Sequence, residues 1–372
     1  GNVQDYDGNA LSGVSVSFTL YGSSAGDNAT SADNGSFSQS SLGLGVHTLN
    51  YSKSGYLDVA QSGILETDGQ TLTVETVRLL SESCSAGTMS GKITDAVTGS
   101  GISDVTMSYA SGLCLDECLE YTNFDTTDTD GAWSRSSTSA GWYTVKSQKS
   151  GYYDDTFGVF ACGDQANQDN AITTTLNEGE MRIMLKWPAT SPETAVDLDS
   201  HLFIPYTNCD IDTDGASDKD DKCHLYYGSI QSTAVNFGRV TTELHHIYDG
   251  DNSDYVTLDR DHTVGIQGIT DPPPGYETIT ISKVRSGVYS YSVHNHEDRG
   301  YGLDDIQSTN FKKSRAKVKV FYNDGSKVYR KKFHVPNDNG TLWRVFTFDK
   351  DASGPFTRVK TMTIGVDRLV IY

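Results

Sequence analysis

Short runs in which apolar residues take every second position recur along the whole chain, separated by Gly, Asn, Asp and Ser. Val14, Val16, Phe18 and Leu20 alternate with polar residues, and Val105, Met107 and Tyr109 do the same. A period of two buries one face of a strand and leaves the other wet. After Glu178 the runs lengthen, and MRIMLKW sets Met181, Ile183, Leu185 and Trp187 against Arg182 and Lys186. VDLDSHLFI, HLYYGS, ETITISKV, GVYSYSVHNH, AKVKVFYN, KVYRKKFHV, LWRVFTF and DRLVIY follow with strand character, and no stretch makes a credible helix. The pattern predicts an all-β chain of two small β-sandwiches followed by a larger β-sandwich or jelly roll.

The first two sandwiches read as copies of one module. DGNALSGVSVSFTLY, SADNGSFS, LGVHTLNYSKSGYLD and QTLTVETVRLL are answered in order by SGKITDAVTGSGISDVTMSYA, TDTDGAWS, AGWYTVKSQKSGYYD and NAITTTLN. Gly35 maps to Gly131 and Gly55 to Gly151, both a shift of 96, whereas Asp5 maps to Asp95 and Val14 to Val105, shifts of 90 and 91. The extra residues fall around CLDEC, which reads as a loop insertion in the second copy. Asn34-Gly35 and Asp130-Gly131 are turn dipeptides, each followed by an aromatic aimed at the core, Phe37 or Trp133. Lys53–Tyr56 and Lys149–Tyr152 repeat Lys-Ser-Gly-Tyr, a strand end at glycine and a restart on a packing tyrosine. The expected domains are residues 1–82, 83–178 and 179–372.

The order G-x-V-x-D-x-x-G-x-x-L-x-G-V-x-V, then D-x-x-G-x-F, then K-x-G-Y resembles the carboxypeptidase regulatory-like domain, a transthyretin-like β-sandwich. The resemblance implies spacer, adhesive or supporting modules with no catalytic residues to carry over. In the last region LxW, DLDSHL, ETITI, GxYxYSVH and GTLWxVF together resemble an uncharacterised domain at the ends of bacterial and algal surface proteins. That resemblance supplies no activity.

Composition sharpens the class. Tyr (21) far outnumbers Met (5), and Gly reaches 36, as suits half-exposed pleated faces joined by tight turns. No run approaches the roughly 18 apolar residues of a membrane-spanning helix, so no membrane insertion is expected. The chain opens on strand-like GNVQDYDGN and reads as a mature or excised piece of a longer product. Lys and Arg (29) against Asp and Glu (49) give −20. From Asn310 to Tyr372 the balance is 14 − 5 = +9, which leaves 15 − 44 = −29 for the first 309 residues. Such an acidic body argues against nucleic acid as a partner. The opposite signs suggest head-to-tail association of copies through strand edges, and lysines that guard an edge strand against pairing read equally well.

Six cysteines without a CxxC pair point to disulfides in an oxidising compartment, with Cys84–Cys162, Cys114–Cys118 and Cys209–Cys223 as the expected pairs. Sequons at Asn28, Asn34, Asn50 and Asn339 permit glycosylation in a eukaryotic source.

The sharpest chemical motif is CDIDTDGASDKDDKC. Asp210, Asp212, Asp214, Asp218 and Asp221 occupy loop positions 1, 3, 5, 9 and 12, with Gly215 at position 6. Oxygen ligands at that spacing around a sharp glycine bend suit calcium, whereas without a cation the carboxylates repel one another. The loop resembles a thrombospondin type 3 repeat. A second set is Asp197 and Asp199, with Asp259 and Asp261 nearby in sequence; it reads as a further cation site, a solvated face or an acid–base pair. Alternation puts Asp197, Asp199 and His201 on one strand face, and His294 and His296 on another. If those strands are neighbours, zinc becomes an option.

HExxH, P-loop and GxGxxG motifs are absent from the sequence, and no enzyme activity is expected. The best overall reading is an extracellular structural or adhesive surface protein, a stalk or filament component binding other copies, other surface proteins or glycans. The rival is a carbohydrate-binding accessory region of a secreted hydrolase. Trp142, Trp187 and Trp343 weigh against it, since they sit in strand patterns that read as core.

Overall fold

Strands dominate the computed structural model, which describes residues 1–21, 23, 26–114, 118, 120–187, 197–205, 224–226, 244–247, 255–262, 274–296 and 310–363. The all-β expectation holds. The sole helix among the described residues is α1 (Asn310–Lys313), a single turn that buries Phe311. Two compact units divide the chain, Gly1–Asp95 with Ser100–Thr174, and Ala96–Gly99 with Thr175–Tyr372.

In the first unit the amino-terminal module supplies β1 (Val3–Asp5), β2 (Ser15–Leu20), β3 (Gly26–Thr30), β4 (Gly45–Ser52), β5 (Val59–Leu65) and β6 (Val77–Leu79). Its repeat supplies β7 (Gly87–Asp95), β8 (Thr106–Ser111), β9 (Leu113–Cys114), β10 (Thr122–Thr126), β11 (Ala132–Thr138), β12 (Gly141–Gln148), β13 (Asp155–Ala161) and β14 (Asn170–Ile172). The duplication is visible in topology: β3-β2-β4-β5 in one module matches β10-β8-β12-β13 in the other. The parallel pair β1–β6 likewise matches β7–β14.

Each module keeps its own apolar cluster. Val14, Val16, Phe18 and Phe37 enter one, and Val105, Met107 and Trp133 enter the other. Equivalent hydroxyls finish equivalent turns, a device the alternation pattern does not reveal. Ser31 Oγ accepts from Val14 N and donates to Leu11 O, while Thr127 Oγ1 accepts from Val105 N and donates to Ile102 O.

The repeated glycines are explained by backbone conformation. Gly35 and Gly131 have φ of 77° and 75°, and a Cβ on either would lie 2.3 Å from a strand carbonyl oxygen, Val3 O or Ile93 O. Gly55 and Gly151 have φ of 87° and 85° but open space around them. Gly35→Ala and Gly131→Ala should therefore each cost upwards of about 2 kcal/mol, and Gly55→Ala only about 1 kcal/mol. Urea unfolding of the three variants checks the order, and equal costs would remove the carbonyl clash from the explanation.

The insertion does something its sequence does not announce. β9 pairs in parallel with β5, Leu113 beside Gln61 and Cys114 beside Ser62, so the second module adds a strand to the first module's sheet. Trp142, read above as core, is only half-buried. It packs against the first module's cluster and donates from Nε1 to Arg78 O at 2.7 Å. Phe160 lies beside it and beside Tyr6, with ring centroids 5.1 and 5.2 Å away. Cys84–Cys162 and Cys114–Cys118 are both formed, and Cys209–Cys223 falls outside the described residues.

The second unit contains β15 (Met181–Trp187), β16 (Leu198–Phe203), β17 (His224–Leu225), β18 (Leu244–Ile247), β19 (Tyr255–Arg260) and β20 (Gly275–Ile281). Beyond these come β21 (Tyr289–Asn295), β22 (Lys317–Asn323), β23 (Val328–His334), β24 (Leu342–Phe348) and β25 (Phe356–Thr363). One sheet runs β18-β19-β20-β15-β22-β23 and the other β17-β16-β21-β24-β25. The predicted apolar face of β15 is found, with Met181, Ile183, Leu185 and Trp187 all in the apolar cluster, but Arg182 and Met184 on the other face are buried too. On β22, Val318 and Val320 are buried between Lys317 and Lys319. Among the described residues β23 ends its sheet, and it exposes Arg330, Lys331 and Lys332. The segment DRLVIY lies outside the described residues.

Candidate metal centre

β16 and β21 are the neighbours that the histidine reading required. They pair antiparallel with Asp199 opposite His294 and His201 opposite Ser292. Cross-strand partners share a face, so Asp199 and His294 project together, with His201 two positions along. Leu198 and Leu202 occupy the intervening positions and enter the apolar cluster. Asp199, His201 and His294 are themselves buried, at 4%, 0% and 0% exposure. Each offers one ligand atom, and these atoms lie within 4.8 Å of one another.

Asp199 also joins a second group. With Asp261, which follows β19, and Glu277 on β20, it brings three carboxylates within the same 4.8 Å limit. Glu277 shares its strand register with Ile279 and Ile281 of the core, and reaches across to the other sheet. Its Oε2 accepts the backbone N–H of Ser200 at 2.5 Å, and Oε1 receives no hydrogen bond. Burial pushes the Glu277 carboxyl well above its ordinary range, and the Asp261 and Asp199 carboxylates push the same way, against the Ser200 N–H. Kept neutral by a proton, Glu277 can donate to Asp261; kept charged, it requires a cation.

The His201 imidazole is held from behind. His201 Nδ1 lies 2.9 Å from His224 Nε2 on β17. His224 stacks between Phe203, at 4.1 Å, and Tyr226, at 4.5 Å between centroids. The His201 and His294 rings stand almost perpendicular, 89° apart in plane. An anchored second nitrogen fixes ring orientation and tautomer, the arrangement metal-ligating histidines use.

The other residues singled out from sequence are distributed as follows. Asp197 is buried but faces His296, with Oδ2 3.4 Å from Nδ1, and it is not among the grouped ligands. Asp259 accepts from Thr280 Oγ1. Asp210, Asp212, Asp214, Asp218 and Asp221 lie outside the described residues. Glu277 and His224 were missed. Glu277 carried a usable signal, since it is the acidic position in an otherwise apolar and hydroxylic strand, ETITI.

The family model of the carboxypeptidase regulatory-like domain matches residues 1–80. No curated protein matches the chain. Among solved structures, the streptococcal ancillary pilin is similar at 16% identity over 47% of this chain and 61% of its own, with a TM-score of 0.21. The Bacillus anthracis TIE protein is similar at 10% identity over 91% of this chain and 48% of its own, with a TM-score of 0.20. The minor pilin of Streptococcus agalactiae is similar at 13% identity over 46% of this chain and 86% of its own, with a TM-score of 0.20. The chain thus spans less than two thirds of the first two proteins, and at these scores the likenesses speak to neither partner nor activity.

Proposed function

We propose that this chain is an extracellular structural or adhesive component of a cell surface, a stalk or filament unit that contacts other copies, other surface proteins or glycans. One observation carries the reading: two sandwiches, the second of them stapled by disulfides, are welded by a shared sheet, β3-β2-β4-β5-β9. A strand donated across a module boundary, backed by the Trp142–Arg78 hydrogen bond, removes the hinge a flexible tandem would have. A rigid pair of modules suits a spacer. The tryptophans give a sugar-binding accessory role little support. Trp133, Trp187 and Trp343 are buried and Trp142 is half-buried, so none offers an open stacking face. Electron microscopy of native material is the test. Filaments or projecting stalks containing the chain support the reading, and dispersed single particles with hydrolase activity overturn it.

The carboxyl-terminal domain is further proposed to be stabilised by calcium in the loop of Asp210, Asp212, Asp214, Asp218 and Asp221, a reading supported by ligand spacing alone. An ion that binds only the folded state adds about 2.7 kcal/mol at a hundredfold excess over Kd. Calcium added to metal-free chain should raise the melting temperature of the second unit and leave the first nearly unchanged. Asp212→Asn with Asp214→Asn should abolish that response. An equal melting temperature with and without calcium would remove the ion from the account.

A further inference from the structure

We propose that the second unit holds a buried divalent ion of the zinc class, bound by Asp199, His201 and His294. Donor chemistry sets the class. Two imidazoles and a carboxylate suit zinc or a similar transition ion, whereas calcium prefers an all-oxygen shell. This site is therefore chemically distinct from the Asp210–Asp221 loop.

Four features on different elements converge on it. The three side chains come from adjacent strands, β16 and β21, so sheet register fixes their spacing. All three are buried, so water does not compete with an ion for their donor atoms. Glu277, with 1% exposure, arrives from the opposite sheet with Oε1 accepting no hydrogen bond, and its carboxylate group includes Asp199. A cation beside Asp199 offsets the repulsion among those three carboxylates. Finally, His224 engages Nδ1 of His201, leaving Nε2 as the ring nitrogen that can ligate.

The placement also says what the ion does. Its ligands lie on one sheet, and Glu277 and Asp261, associated with Asp199, belong to strands of the other or follow them. An ion at Asp199 thus pins the two layers at one end of the sandwich.

The test uses the full chain, stripped of metal by dialysis and titrated separately with zinc and with cobalt(II). One equivalent of zinc is expected to bind, and the cobalt form is expected to show the visible absorption of a nitrogen-ligated ion. His294→Gln and His201→Gln should each weaken zinc binding at least about 100-fold, and His224→Ala, which acts through His201, about 10- to 100-fold. Asp212→Asn with Asp214→Asn should still take up one equivalent, which separates this site from the calcium loop. Circular dichroism of the metal-free variants identifies any that fail to fold, and the cobalt spectrum of the unaltered chain decides the matter in that case. Failure of the unaltered chain to bind stoichiometric zinc overturns the proposal. So does equal uptake by a folded His294→Gln variant, or a cobalt spectrum like that of the ion in water.

Discussion

Replacing Cys84 and Cys162 together by alanine is expected to destabilise the first unit by about 4 kcal/mol, because the bridge closes a loop of 78 residues in the unfolded chain. The bond joins the entry to β7 with the exit from β13. Those strands belong to different sheets of the second module, β11-β7-β14 and β10-β8-β12-β13, so the bridge staples one layer to the other. The backbones come close at that point. A Cβ on Gly87 would lie 2.1 Å from the Gly163 carbonyl, and Gly163 N donates to Ser85 O at 2.8 Å. Gln165 N to Thr88 O and Ser90 N to Gln165 O continue the contact, so the folded geometry survives loss of the sulfurs. The effect therefore falls mainly on the unfolded ensemble. Calorimetry of the full chain should show the first unit's transition lowered by roughly 10 °C and the second unit's unmoved. Cys114–Cys118 closes a separation of only 4 and should matter far less. A shift below about 2 °C for the Cys84/Cys162 variant would mean that the hydrogen bonds, not the bridge, hold this junction.

What the sequence made legible follows from what periodicity measures. Alternation tells which face of a strand is buried, and it was right for Val14, Val16 and Phe18, for Val105 and Met107, and for the apolar face of β15, although Arg182 and Met184 on its other face are buried as well. The repeat was legible because its glycines sit where φ is positive, positions that admit few other residues. Alternation says nothing about what covers a buried face. Trp142 was read as core, yet its cover comes from the preceding module. Nor does it give strand neighbours. That Asp199 and His294 share a face on adjacent strands depends on the β16–β21 register, a pairing across some 90 residues of chain. Glu277 escaped for a related reason. Its place in ETITI marks it as unusual, but only the opposite sheet, which brings Ser200 and Asp199 against it, shows what it does.

The largest single side-chain effect is expected at Trp187, where truncation to alanine should cost about 3–5 kcal/mol in the second unit. Trp187 is fully buried at the end of β15, and its register partner on β20 is Gly275. A Cβ on Gly275 would lie 2.2 Å from Cε2 of the indole, so the glycine is what makes room for the ring. His262 closes the pocket edge-on, 5.2 Å between centroids at 82°. The pair can be tested as a unit. Gly275→Ala alone forces the ring to shift and should cost about 1–3 kcal/mol by overpacking. In the Trp187→Ala background the same substitution meets a cavity instead, and the added methyl should be neutral or stabilising. The double variant should then be no less stable than Trp187→Ala alone, a coupling of about 1–3 kcal/mol between neighbours that touch. Calorimetry reads this in the second unit's transition, with the first unit as internal control. If Gly275→Ala costs the same in both backgrounds, the steric account of Gly275 fails, and the glycine must be retained for its backbone alone.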